Sequence, residues 1–229
     1  MSDMTERTAV VGTGTGVGKT IITAALVGVL RESNRDARAV KPAQTGFPPD
    51  DDAGVIADIC NESAAAICLR YLEHPLAPAV AAEQEGVDLS YATLRRETEN
   101  ALDESEMGIV EGIGGLHVPL ADDYEVIDLV ADLGCQAVVV ARSGLGTLNH
   151  TRLTLEALSR RDVPVHGVVL NEYAGSTVAE RTNPDQLRTV TDAPVVTMPT
   201  VDQDDLIATA REQLAPVIDR IDQRDRIPL

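Results

Sequence analysis

The run Gly12-Thr13-Gly14-Thr15-Gly16-Val17-Gly18-Lys19-Thr20 decides how this chain is read. Apolar, β-branched residues 8–11 precede it and an amphipathic pattern over 19–31 follows, so a buried strand turns through glycine-rich backbone into a helix. In such a turn successive amide N–H groups point into one concavity and add to the positive end of the helix dipole, which makes a cradle for phosphate. The glycines permit the positive φ angles the turn needs. Lys19 is placed to reach β- and γ-phosphates, and Thr20 to offer its hydroxyl to Mg²⁺. The common spacing G-x-x-x-x-G-K-[ST] is not kept. Thr13 stands where the first glycine belongs, and Gly12 lies one residue earlier.

Outward from this loop, short β-branched runs alternate with longer amphipathic stretches. Residues 8–11, 37–40, 108–110, 137–141, 165–170 and 195–198 read as strands buried on both faces; 19–31, 91–104, 126–133, 148–161 and 204–221 read as helices. This order predicts an α/β fold of three layers, a mainly parallel β-sheet flanked by helices in the manner of P-loop NTPases. Functional residues then gather at the carboxyl ends of the strands. Residues 13–20, 41–45, 111–115 and Asn171 each follow a predicted strand, so four signals converge on one rim. The interval 42–89, rich in Pro, Asp and Ala, is longer than an ordinary connection and is expected to carry short helices lining a pocket.

Composition narrows the function classes. The chain has 229 residues, and its 37 acids against 19 Lys and Arg give a net charge of −18, a field that repels nucleic acid and anionic membrane. Only Lys19 and Lys41 are lysines; every other basic residue is arginine. An ammonium kept at just these two points is expected to serve chemistry. Acidity with little lysine and a single Phe suits a protein kept soluble in concentrated salt, so a halophilic source is expected. With 44% hydrophobic residues the chain builds one substantial core, and residues 1–229 read as one domain. No leader segment and no run of roughly 20 apolar residues is seen, which predicts a cytoplasmic protein. Cys60, Cys68 and Cys135 lack metal or redox spacing and read as small buried hydrophobes. The acid and arginine alternation over 211–226 reads as a solvated terminal helix.

A phosphate loop alone fits motors, switches, kinases and ligases, so the other rim segments must discriminate. In Lys41-Pro42-Ala43-Gln44-Thr45-Gly46, Lys41 ends the second strand and Pro42 stops its pairing. Asp50-Asp51-Asp52 precedes a helical pattern over 53–60 and supplies either a cap or a carboxylate for metal. Glu111-Gly112-Ile113-Gly114-Gly115 leaves its strand as an acid followed by flexible backbone, a second carboxylate for Mg²⁺ beside glycines that let backbone approach phosphate.

Six separated segments together resemble one family: Gly12-Thr13-x-Thr15-x-Val17-Gly18-Lys19-Thr20, Lys41-Pro42-x-x-Thr45-Gly46, Pro75-x-x-Pro78, Glu111-Gly112-x-Gly114-Gly115, Gly146-Thr147-x-Asn149-His150 and Gly167-x-x-x-Asn171. In that order, over nearly the whole chain, they look like dethiobiotin synthetase, a deviant P-loop ATPase fold working as a homodimer in biotin synthesis. The resemblance implies conversion of 7,8-diaminopelargonate, CO₂ and ATP to dethiobiotin, ADP and phosphate through a carbamate and a carbamic-phosphoric anhydride. It implies a nucleotide cradle of Gly16, Val17, Gly18, Lys19, Thr20 and Ile21, with Gly112, Ile113 and Gly114 beside it. Mg²⁺ falls to Thr20, Asp52 and Glu111, and the transferring group to Lys41 and Lys19 as catalytic residues. Thr15 and Thr45 would contact substrate. Asn171 and Glu172, with Pro199, Thr200 and Val201, would surround adenine. Leu145, Gly146, Thr147, Leu148 and Asn149 would hold the substrate's distal carboxylate from the neighbouring subunit. One departure stands out: the family's usual aspartate between the loop threonines is Gly14 here.

Three other readings compete. A regulatory or partitioning ATPase of the same fold carries an extra lysine near the loop's start, where Thr13 or Gly14 stands. A cobyrinate-type amide synthase needs an appended glutaminase, for which 229 residues leave no room. A noncatalytic module derived from the synthetase is opposed by retention of both lysines.

Overall fold

The structure, a computed structural model, describes residues 7–222. Seven strands form its main sheet: β1 (Arg7–Gly12), β2 (Ala37–Lys41), β3 (Ala66–Cys68), β4 (Met107–Gly115), β5 (Gln136–Arg142), β6 (Val165–Asn171) and β7 (Val195–Thr197). They run in the order β7-β6-β5-β1-β4-β2-β3, and every pair is parallel. Among the described residues seven α-helices lie between them, α1 (Lys19–Glu32), α2 (Asp52–Ile59), α3 (Pro78–Glu85), α4 (Tyr91–Leu102), α5 (Val126–Asp132), α6 (Thr147–Arg160) and α7 (Val178–Arg188), and two follow the last strand, α8 (Gln203–Gln213) and α9 (Ala215–Ile221).

Strand side chains alternate between two apolar layers. Val139 and Ala141 face Leu94, Leu102, Ile127 and Leu158 on one side, while Val138 and Val140 face Ile22, Leu26, Ile56 and Leu206 on the other. Burial on both faces explains why these strands read as unbroken apolar runs instead of alternating ones. Each fully buried Val or Leu contributes roughly 1.5–3 kcal/mol, so the layers hold the central strands firmly and leave the rim loops to function. With β1 in the middle and connections leaving it to both sides, a crevice opens outside its carboxyl end.

Several boundaries differ from the sequence reading. Strand β4 does not end at Val110 but continues through Gly115, because its glycines lie against β1 with Val10 opposite Glu111 and Gly12 opposite Gly115. Glu111 therefore sits inside the sheet. The helix expected over 204–221 breaks at Leu214, where Pro216 in the first turn of α9 cannot continue the ladder of α8. Edge strand β3 and helix α7 were not expected. The first is only three residues long, and the second carries Pro184 inside a polar sequence, held at its start by a reciprocal Thr177–Glu180 capping box. The interval 42–89 does carry short helices, α2 and α3. Cys135 is buried, while Cys60 and Cys68 are half-buried, and all three are free. The acid and arginine run reaches α9; its residues 223–226 lie outside the described ones. No helix among the described residues is long and apolar enough to cross a membrane.

Candidate active site

Strand β1 delivers the loop and α1 receives it at Lys19. Gly18 is the N-cap of α1 with φ 93°, a left-handed conformation, and no side chain caps the helix. The first N–H groups of α1 are thus left for an anion. Gly12 explains the shifted spacing: a Cβ there would fall 2.9 Å from both the Gly14 carbonyl oxygen and Val17 Cγ2. Lys19 is buried, and its Nζ donates to the Gly14 carbonyl at 3.1 Å and the Gly114 carbonyl at 2.9 Å, tying the loop to the end of β4. Burial first, and the neighbouring Lys41 charge second, pull its pKa down to about 8.

Beside it lies an ion cluster in which Lys41 and Glu111 are buried and Asp52 is partly exposed. Lys41 Nζ stands 2.5 Å from Asp52 Oδ2 and 2.8 Å from Glu111 Oε1, and also donates to the Gly112 carbonyl at 3.3 Å. Thr20 Oγ1 donates to the same Glu111 oxygen at 3.0 Å. Glu111 is 0% exposed, and its second oxygen, Oε2, has no hydrogen-bond partner. Burial alone would lower the Lys41 pKa, but Glu111 and Asp52 outweigh it and hold the ammonium above the ordinary lysine value. Burial likewise pushes Asp52 up, and Lys41 overrides it, keeping this carboxylate below its usual range. For Glu111 burial wins against Lys41, with Asp52 adding to it, and the carboxyl is raised. The aspartate triplet divides its work. Asp51 caps α2 by accepting from the Gly54 N–H, and Asp52 turns inward to Lys41.

A cavity of about 760 Å³ joins these groups. It gathers Thr15, Gly16, Gly18, Lys19, Thr20, Ile21, Lys41, Thr45, Asp52, Glu111, Ile113, Gly114 and Glu172 of the residues named from sequence. Val17 and Gly112 lie behind its wall. Asn171 is buried at the end of β6 and donates its carboxamide N–H to the Val17 carbonyl at 3.2 Å, next to the loop. Pro199, Thr200 and Val201 follow β7 close to Glu172, since the Tyr173 N–H bonds the Met198 carbonyl. The structure does not bring Leu145, Gly146, Thr147, Leu148 and Asn149 to this cavity within one chain. They open α6, where Gly146 takes φ 92°, Leu145 is 97% exposed, and the Thr147 N–H is already bonded to the Gly144 carbonyl. Two residues escaped the sequence reading. Gln44 accepts from the Asp52 N–H and so fixes the start of α2, and Arg142 donates to the Gly16 carbonyl at 3.1 Å. Gln44 lay within the quoted Lys41 segment; Arg142, exposed at the end of β5, left no local signal.

The sequence profile of the AAA domain family matches residues 6–206. Over its full length the chain is 51% identical to the ATP-dependent dethiobiotin synthetase BioD of Haloferax mediterranei, all of which is covered. The synthetase of the same name from Rhodococcus jostii is 42% identical across 82% of this chain and 83% of its own. In fold, the chain is similar to cobyrinic acid a,c-diamide synthase of Mycobacterium smegmatis, with TM-score 0.60, 16% identity and coverage of 96% and 97%. It is also similar to the septum site-determining protein MinD of Pyrococcus horikoshii, with TM-score 0.57, 18% identity and coverage of 98% and 97%. Two of the three competing readings of the sequence thus share this fold, and it is sequence identity over the whole chain that separates them from the synthetase. The chain belongs to the ATP-dependent dethiobiotin synthetase family.

Proposed function

We propose that this protein closes the cyclic urea of dethiobiotin from 7,8-diaminopelargonate, CO₂ and ATP, releasing ADP and phosphate. The observation that carries the reading is the ion cluster of buried Lys41 and Glu111 with half-buried Asp52 beside the uncapped N-terminus of α1, in a chain half identical to a synthetase throughout. One substrate amine holds CO₂ as a carbamate. Its oxygen attacks the γ-phosphorus and ADP leaves; the second amine then attacks the carbamoyl carbon and expels phosphate. Such transfer depends on positioning and charge neutralisation more than on a protein nucleophile.

In this reading the amides of Gly16, Val17, Gly18, Lys19, Thr20 and Ile21 cradle the phosphates, with Gly112, Ile113 and Gly114 lining the opposite wall. Lys19 neutralises the β- and γ-phosphates, and Lys41 the carbamate and transferring phosphoryl group. Thr20, Asp52 and Glu111 would hold Mg²⁺. They fit a hard cation, being oxygen donors only, and the buried, unpartnered Glu111 Oε2 is directed to such a role. Bound there, Mg²⁺ would offset charge on the phosphate oxygens. Thr15 and Thr45 contact the carbamate-bearing substrate. Asn171, Glu172, Pro199, Thr200 and Val201 enclose adenine, Asn171 retaining a second amide hydrogen and its carbonyl for the base. Leu145, Gly146, Thr147, Leu148 and Asn149 serve the neighbour's site in a cytoplasmic homodimer of single-domain chains; the free N–H groups of Leu148 and Asn149 receive the distal carboxylate.

The test is ATP hydrolysis with diaminopelargonate and bicarbonate, alone and together, with dethiobiotin identified by mass. Turnover is expected only with both. Fast hydrolysis without either, or stimulation by DNA or lipid, would favour a switch ATPase instead.

A further inference from the structure

We propose that Lys41 is the resident cation of the Asp52–Glu111 pair, occupying it until a divalent metal arrives, and that the metal's arrival is what releases the ammonium toward the cavity. The proposal rests on the reading above that these carboxylates hold metal. Its support is geometric. Lys41 is 4% exposed and its Nζ touches both carboxylates and the Gly112 carbonyl, so all three ammonium hydrogens have acceptors. A group so engaged cannot also neutralise a transferring phosphoryl group.

The two carboxylates do not depend on Lys41 for their places. Glu111 lies within β4, paired to β1, and Thr20 donates to it from α1. Asp52 begins α2, where Gln44 accepts from its N–H and Asp51 caps the helix. Lys41, by contrast, has a four-carbon stem with rotatable bonds and lines the cavity. The ammonium can therefore leave a site that stays built. Leaving with no replacement would strand two carboxylates, one of them wholly buried, against each other. Departure is thus coupled to entry of another cation, and Lys41 reaches the substrate only in a protein that holds its metal.

The chain has only two lysines, which makes the exchange directly observable. Protein labelled with ¹⁵N-lysine gives two ammonium signals, assigned with Lys19→Arg, and is titrated first with ADP and then with Mg²⁺. The Lys41 signal is expected to stay in place with ADP and to move with Mg²⁺, at the midpoint of metal binding. In parallel, Mn²⁺ binding is followed by electron paramagnetic resonance with ADP present. Lys41→Met, which removes the competing charge, should bind Mn²⁺ about tenfold tighter or more. Should that variant fail to fold, the signal in wild-type protein decides alone. A Lys41 signal unmoved at saturating metal overturns the proposal while leaving the metal site intact. Mn²⁺ binding indifferent to Glu111→Gln and Asp52→Asn refutes the metal reading itself, and the proposal with it.

Discussion

The carboxamide of Asn171 fills the space that a side chain on Gly18 would need: a Cβ built on Gly18 overlaps the amide nitrogen, which donates to Val17 one residue earlier. Gly18 also holds φ 93°, where an L side chain costs about 1–2 kcal/mol. Gly18→Ala should therefore displace Asn171 and distort the loop from both sides. Loss of ADP affinity of about tenfold or more is expected by calorimetry, with secondary structure retained. Unchanged affinity would show that the loop tolerates another shape.

Nucleotide binding should depend on pH through Lys19. Its pKa of about 8 in the free protein means the cation fades as pH rises past 8, whereas bound phosphate holds the proton on. Affinity is then flat below about pH 7 and falls by up to about tenfold per pH unit above 8. Binding at pH 9 should take up close to one proton, measured by calorimetry in buffers of different ionisation enthalpy. Zero uptake would contradict this account.

His166 is 3% exposed in β6, and burial, with Arg220 adding to it, lowers its pKa to about 4. The unfolded chain takes up a proton below pH 6.5 that the fold refuses. The neutral histidine's contribution is thus intact above 6.5 and lost as pH falls toward 4, at up to about 1.4 kcal/mol per pH unit. His166→Gln should flatten this part of the urea-midpoint profile between pH 7 and 4.5. Superimposable profiles would remove His166 from the acid transition.

The shared site can be tested by complementation. Lys41→Ala and Asn149→Pro, the second removing one of the N–H groups in the first turn of α6, should each be inactive, yet mixed dimers formed after subunit exchange should regain part of the activity, because one of two sites receives both intact halves. If exchange is confirmed by mass and the mixture stays dead, the distal carboxylate is held within one chain.

With a net charge of −18 the surface repels itself, and salt screens this over about 3 Å at 1 M against about 30 Å at 0.01 M. The thermal midpoint should rise steeply with KCl, and full stability in dilute buffer would argue against adaptation to salt.

The strand–glycine loop–helix order and the position of each rim segment were legible in sequence because they are local: burial on both faces gives unbroken apolar runs, and Gly18-Lys19-Thr20 opens a helix wherever the sheet lies. Gly12 could be read as a displaced glycine, but its cause, the approach of Val17 and the Gly14 carbonyl, belongs to the folded loop. Which aspartate of three turns toward Lys41 was likewise undecided by spacing. The capping of α2 by Asp51 leaves Asp52 one position further round, and only the packing of α2 against the β2 end aims it inward. Burial of Glu111 within an extended β4, its unpartnered oxygen, the Arg142 contact to Gly16 and the exposure of Leu145 away from the cavity all involve residues far apart in the chain. Sequence sets which groups stand at strand ends, since that follows from local periodicity. Their distances, water exclusion and hence their charges are decided by tertiary packing, because electrostatic energies depend on separation and solvent access and not on order along the chain.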